Sequence, residues 1–249
     1  MRTACSPSPQ EEGKDLDGQD TLKRVSTGSV PEFQGNLRSF MLHVPEEIRE
    51  CSGIRVFGKT IRSLAFTTDA AIIRNCNADA VIAVYPFTPQ PLITQAVMTA
   101  ADMPVFAGIG GGLTQGMRVI DLALHAEFQG AIGVVVNAPT KNETVRELVK
   151  RIDIPVVVTV ASFRDDVAAR VEAGVRIINV SAAAETARVV QSIRERFPDL
   201  AIIATGGPTK ESIRETIRAG ANAITWTPPS SGQVFRDIMQ AYREGKPHP

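Results

Sequence analysis

The 249-residue chain lacks an excess of charge of either sign: 27 Lys and Arg oppose 27 Asp and Glu, for a formal net charge of +0. Neutrality argues against a partner recognised mainly by bulk electrostatics, so neither nucleic acid nor an anionic membrane surface is expected. Aromatic residues are scarce, at 5% with one Trp. The core must therefore come from Val, Ile, Leu and Ala, the palette of a parallel sheet covered on both faces. Cys5, Cys51 and Cys76 are odd in number, widely spaced and without metal-ligand spacing, which suits a reduced, cytoplasmic protein. With His only at positions 43, 125 and 248, neither a zinc site nor a Ser-His nucleophile pair is expected. No run approaches the ~20 apolar residues that span a bilayer, and residues 1–30 hold no apolar stretch that reads as a signal peptide.

What is present is organised in three parts. Residues 1–29 are rich in Ser, Pro, Gly, Gln and acidic residues, the composition of a disordered tail. Residues 30–62 read as an N-terminal cap of helices and a short hairpin. Phe33, Leu37, Phe40, Met41 and Val44 fall near helical spacing, Pro45-Glu46-Glu47 marks a second helix start, and 54–62 forms two strands around Gly58-Lys59. From 63 to 245 short apolar runs alternate with helical periods. Eight candidate strands lie at 63–66, 80–85, 104–107, 131–137, 155–160, 176–180, 200–205 and 222–226. Pro104 and Pro155 open strands, where no donor is needed, and Gly130, Gly174 and Gly220 stop helices. The predicted fold class is α/β: a (β/α)8 TIM barrel behind the cap and tail. The alternative, an open doubly wound sheet, would carry a glycine fingerprint after its first strand, where this chain has Thr67-Thr68-Asp69.

Such barrels place their site at the C-terminal strand ends. Here those ends are rich in Thr, Ser, Asn and Gly, with a single Asp. After the seventh strand comes Thr205-Gly206-Gly207-Pro208-Thr209, and after the eighth Ser230-Ser231-Gly232. Bare backbone at a helix start lets amides converge on an anion, so Gly206, Gly207, Ser230, Ser231 and Gly232 are the candidate phosphate ligands. Lys210 could add charge there, or be solvated. A second cluster, Gly110, Gly111 and Gly112, follows the third strand, opposite the seventh. It reads either as a second anion site or as close helix–strand packing. Asp69 is the candidate acid/base, with helix capping as the competing role. Asn137 and Asn179 join it as candidate catalytic residues, and Tyr85, Thr159, Thr205 and Trp226 as candidate pocket residues. No strand-end Lys is present for Schiff-base chemistry.

The Gly206-Gly207 element followed by Ala219-Gly220-Ala221-Asn222-Ala223 resembles the seventh-to-eighth unit of the phosphate-binding (β/α)8 barrels, the ribulose-phosphate-binding, aldolase-type superfamily. The paired glycine clusters are similar to those of the histidine-pathway half-barrels. Those enzymes use acids at the ends of the first and fifth strands; Asp69 matches the first, whereas the fifth ends here in Thr159-Val160-Ala161-Ser162. Ile72-Ile73-Arg74-Asn75, Val84 to Gln90 and Thr205 to Thr209 also resemble bacterial barrels generically labelled hydrolase. The resemblance implies an enzyme that holds a small phosphorylated metabolite on the last two loops and performs proton transfer as an isomerase, lyase or hydrolase. No cofactor or metal is required on this reading. An FMN-dependent oxidoreductase and a metabolite-binding barrel without turnover are the alternatives, and self-association stays open.

Overall fold

The computed structural model describes residues 40–247; the tail expected over 1–29 and the start of the cap lie outside the described residues. The first described strands are β1 (Ile54–Val56) and β2 (Lys59–Ile61), an antiparallel hairpin with Ile54 opposite Ile61. Its turn needs left-handed backbone at Phe57 and Gly58, φ 45° and 80°. Eight strands then alternate with helices. They are β3 (Ser63–Phe66), β4 (Ala80–Ala83), β5 (Val105–Gly110), β6 (Gly133–Val136), β7 (Val156–Val160), β8 (Ile177–Val180), β9 (Ala201–Thr205) and β10 (Ala223–Trp226). All pair in parallel in chain order, and β10 closes on β3 through Ile224–Ser63 and Trp226–Ala65. The surrounding helices are α1 (Ala70–Arg74), α2 (Pro91–Ala100), α3 (Met117–Phe128), α4 (Asn142–Arg151), α5 (Val167–Glu172), α6 (Thr186–Arg196), α7 (Lys210–Arg218) and α8 (Ser231–Arg243). The molecule is therefore a closed (β/α)8 barrel. Among the described residues no helix is long and apolar enough to cross a membrane.

Strand side chains alternate between two cores. Ala65, Val134, Val136, Val158, Ile178 and Ile224 join the cluster facing the helices, whereas Leu64, Ile82, Phe106, Val135, Val157 and Ile203 form the inner cluster. Because the registers slant around the cylinder, residues at one height come from alternate strands and stack in layers of about four. Leu64, Phe106, Val157 and Ile203 make one layer; Ile82, Val135, Asn179 and Thr225 make the next toward the C-terminal end. Small residues accommodate the large ones. A Cβ at Gly133 would lie 2.7 Å from the Phe106 ring, so glycine there makes room for the one aromatic of the middle layer.

Ile54, Val56 and Ile61 join this inner cluster, so the hairpin seals the N-terminal end of the cylinder. Arg194 of α6 braces the same end, donating to the carbonyls of Leu200 at 2.8 Å and Gly220 at 2.8 Å and to Asn222 Oδ1 at 2.7 Å. The second helix start appears as a one-turn 3-10 helix, Glu46–Glu50. It docks on α7, where buried Glu47 meets Arg214 at 3.0 Å and Lys210 at 3.4 Å. The helix expected from Phe40, Met41 and Val44 is not found within the described residues. Residues 40–45 carry no helix, and Leu42 makes a bridge to Cys76. Pro45 disfavours helical backbone at Val44, whose amide instead donates to Asn77 Oδ1 at 2.8 Å.

The packing of Phe106 makes a testable case. Gly133→Ala should lower stability by about 1–3 kcal/mol through overpacking, read by urea denaturation. Combining it with Phe106→Leu should recover part of that loss, as expected of residues that share one space.

Candidate functional site

The layers above the apolar core build the mouth. Phe66, Gly108, Thr159 and Thr205 form one layer, with Val84, Asn137 and Ser181 just above. Its polarity is mostly on one side. The β7–β10 half carries Thr159, Asn179, Ser181, Thr205 and Thr225, whereas the β3–β6 half carries Phe66, Ile82, Val84, Gly108 and Val135, with Asn137 at its top as the polar exception. None of these side chains is charged. The Thr205 and Ser181 hydroxyls are 3.4 Å apart. Asn179 and Thr225 are 8% and 7% exposed, and neither Asn179 Oδ1 nor Thr225 Oγ1 has a partner. Thr225 escaped the sequence reading. The signal was the alternation Ala223-Ile224-Thr225-Trp226, which turns Thr225 inward. The same alternation corrects the expectation for Trp226: it packs with Ile224 on the helix-facing cluster and not in the mouth.

On the apolar side the mouth opens into a cavity of about 190 Å³, lined among others by Val84, Tyr85, Phe87, Gly108, Leu113 and Asn137. Of the candidate residues, Tyr85 and Asn137 therefore share this cavity, while Thr159, Asn179 and Thr205 share the polar wall. The Tyr85 hydroxyl accepts from the Gln90 amide at 2.8 Å, which fixes the proline-rich segment above the cavity. Among the described residues no group of three or more His, Cys, Asp or Glu is placed to hold a metal ion.

Asp69 sits at the end of β3, but its carboxylate is fully engaged. Oδ1 accepts from the amides of Ala71 at 3.0 Å and Ile72 at 3.3 Å, capping α1. Oδ2 accepts from the Ser231 amide at 3.2 Å and from the Ser231 hydroxyl. One carboxylate thus caps the first and the last helix. Burial opposes its charge, but the hydrogen bonds from Ser231, Ile72 and Ala71 outweigh burial and hold the carboxyl below its usual value. An ionised group with both oxygens occupied is a structural anion, so the expectation of an acid/base at Asp69 gives way to the capping role.

The glycine loops divide in the same manner. Gly206 is a packing glycine, since a Cβ would lie 2.8 Å from Ile213 and Ile224, and its amide reaches the Thr225 carbonyl at 3.4 Å. Gly207 is exposed, with φ 76° and an amide that meets no acceptor among the described residues. Thr209 and Ser212 close a capping box at the start of α7, and Lys210 is drawn to Glu47. Ser230 caps α8 by accepting from the Gln233 amide at 3.2 Å. The Ser231 amide, expected to hold phosphate, is taken by Asp69. The Gly232 position is open, with only Ser230 Oγ at 4.0 Å from a built Cβ. In the second cluster the Gly111 amide donates to the Thr114 carbonyl at 2.9 Å, and a Cβ at Gly111 would lie 2.1 Å from Thr140 Oγ1. A Cβ at Gly110 would press on Thr114 at 3.0 Å. Packing therefore replaces the expected second anion site at these two positions. Gly112 has open space around it, and its carbonyl accepts from Gln115 at 2.7 Å.

Asp69→Ala should cost about 1–2 kcal/mol at pH 7 through the lost cap. A carboxyl held low in the fold stabilises above its unfolded value of about 3.9 and loses that contribution as pH falls through the folded value. The deficit of the variant, followed by urea denaturation from pH 7 downward, should therefore shrink below about pH 4.

No protein-family model matches the chain. Inosine-5'-monophosphate dehydrogenase from Halalkalibacterium halodurans is 45% identical over 62 residues, which is 23% of this chain and 13% of that protein. The match thus spans only a small part of that relative's length. Among solved structures, a phosphonopyruvate hydrolase superposes with a TM-score of 0.57 at 12% identity, covering 80% of this chain and 86% of the other. A 2,3-dimethylmalate lyase of the PEP mutase/isocitrate lyase superfamily gives 0.56 at 14%, covering 74% and 83%. A dihydrodipicolinate synthase from Bacillus anthracis gives 0.52 at 16%, covering 74% and 75%. These likenesses concern the fold, and by fold the chain is a closed (β/α)8 barrel.

Proposed function

We propose that this barrel is an enzyme of the lyase, mutase or hydrolase kind that acts on a small phosphorylated metabolite bound at its mouth. The observation that carries the reading is the exposed Gly207 amide on the loop after β9, which meets no acceptor among the described residues; the neighbouring strand β10 leads into α8, where Gly232 is exposed in the first turn. The α8 terminus already holds one anion, the Asp69 carboxylate, on the Ser231 amide, as expected of a helix start. The phosphate is assigned to Gly207 and Gly232, with Ser230 beside them. Asn137 and Asn179 then orient the organic part from the cavity and the polar wall. The names of the similar proteins support a phosphorus-bearing ligand: one acts on inosine-5'-monophosphate and another on phosphonopyruvate. A cavity of about 190 Å³ is smaller than the ~300–1,000 Å³ of pockets for drug-sized ligands, which favours a small metabolite over FMN.

A second reading, binding without turnover, is favoured by the commitment of Asp69. Asp69 does not line the cavity, and the cavity lining contributes one titratable side chain, Tyr85. Product formation from any phosphorylated compound that binds separates the two readings.

Inorganic phosphate should raise the melting temperature of the protein. Gly232→Glu should abolish that rise, because the new carboxylate competes at the same amides. The variant itself should fold as well as the parent, since the position is open and an acidic residue suits the first turn of a helix. Failure of phosphate and of phosphate monoesters to shift the transition would sink the reading.

A further inference from the structure

Two atoms of the inner wall stay unexplained by packing. Asn179 and Thr225 stand next to each other in one layer, and the other two members of that layer, Ile82 and Val135, are apolar. Both polar residues are more than nine-tenths buried, and Asn179 Oδ1 and Thr225 Oγ1 are unpaired. Leucine and valine would fill the same space without desolvating a polar group, as Ile82 and Val135 do across the layer. A polar pair at this depth calls for an occupant that bonds to it.

The position of the pair indicates which occupant. The Thr225 carbonyl receives the Gly206 amide at 3.4 Å, so the residue with the unpaired hydroxyl also underlies the glycine loop. Above it, Thr205, Thr159 and Ser181 continue the polar wall toward the mouth. No charged side chain belongs to these layers, so neither a carboxylate nor an ammonium would find a counterion there. Asn179 Oδ1 accepts only, whereas Thr225 Oγ1 both donates and accepts. A neutral hydroxyl satisfies both. It also satisfies a flipped amide, because its oxygen accepts.

We propose that Asn179 and Thr225 form a hydroxyl-recognising subsite beneath the glycine loop, and that the ligand is a small phosphate monoester bearing a free hydroxyl on its carbon chain. This rests on the phosphate reading given above. The hydroxyl donates to Asn179 and exchanges a hydrogen bond with Thr225 while the phosphate stays at the loop.

The test titrates the full chain with inorganic phosphate, propyl phosphate and glycerol phosphate by calorimetry. Glycerol phosphate should bind about tenfold more tightly than propyl phosphate, the difference of one well-made hydrogen bond. Thr225→Val and Asn179→Leu should each bring that ratio close to one and leave the affinity for inorganic phosphate unchanged. Thr225→Ser, which keeps the hydroxyl, should preserve the ratio. The two apolar variants, free of ligand, should melt at or above the parent temperature, whereas residues held in a structural network would melt lower. Equal affinity for the two esters, with phosphate still bound, would overturn the hydroxyl subsite and leave the phosphate reading standing. A lowered melting temperature in both apolar variants would overturn it as well, by showing that the pair serves the fold. If no phosphate compound binds, the phosphate reading fails and this inference fails with it.

Discussion

A closed parallel sheet offers each strand only two directions, into the cylinder or out toward the helices, and everything else in this molecule follows from that constraint. Apolar side chains, mainly valine, isoleucine and alanine with Leu64 and Phe106, fill both faces in the lower part of the barrel. The inward positions change character toward the C-terminal ends, from Leu64 and Val157 to Asn179 and Thr225 and then to Thr159 and Thr205. The outward positions stay apolar over the same span, as Val158, Val180 and Ala204 show. The gradient is confined to the lumen face.

The architecture was legible because its signals are local. Period-two alternation, prolines at strand starts and glycines at helix ends mark each βα unit within a few residues. The helix expected near Val44 went astray where a local pattern met a proline. The composition of the mouth was legible in part. Strand ends located Asn137, Asn179, Thr159 and Thr205, and the alternation would have sorted Thr225 from Trp226 had it been applied to the last strand.

The roles of the glycines and of Asp69 depend on partners distant in sequence, so they stayed ambiguous. Gly111 answers to Thr140, and Gly206 to Ile213 and Ile224. A glycine pair that opens amides and one that admits a neighbouring side chain read alike in one dimension. Asp69 shows the same limit. Its cap of α1 lies two and three residues away, but its second helix begins 162 residues later. The hydrogen bonds already made, four of them to one carboxylate, mark it as a fixed anion.

That bond between Asp69 and Ser231 also lies at the seam of the ring, beside the contact between β10 and β3. The earliest barrel unit to leave a ribosome is completed only by the latest. Until β10 emerges, β3 presents an unpaired edge, and until α8 follows, the capping side chain of α1 lacks half of what it binds. Closure of the cylinder therefore waits on its last unit, and vulnerability to misassembly is concentrated in the interval before β10 and α8 arrive.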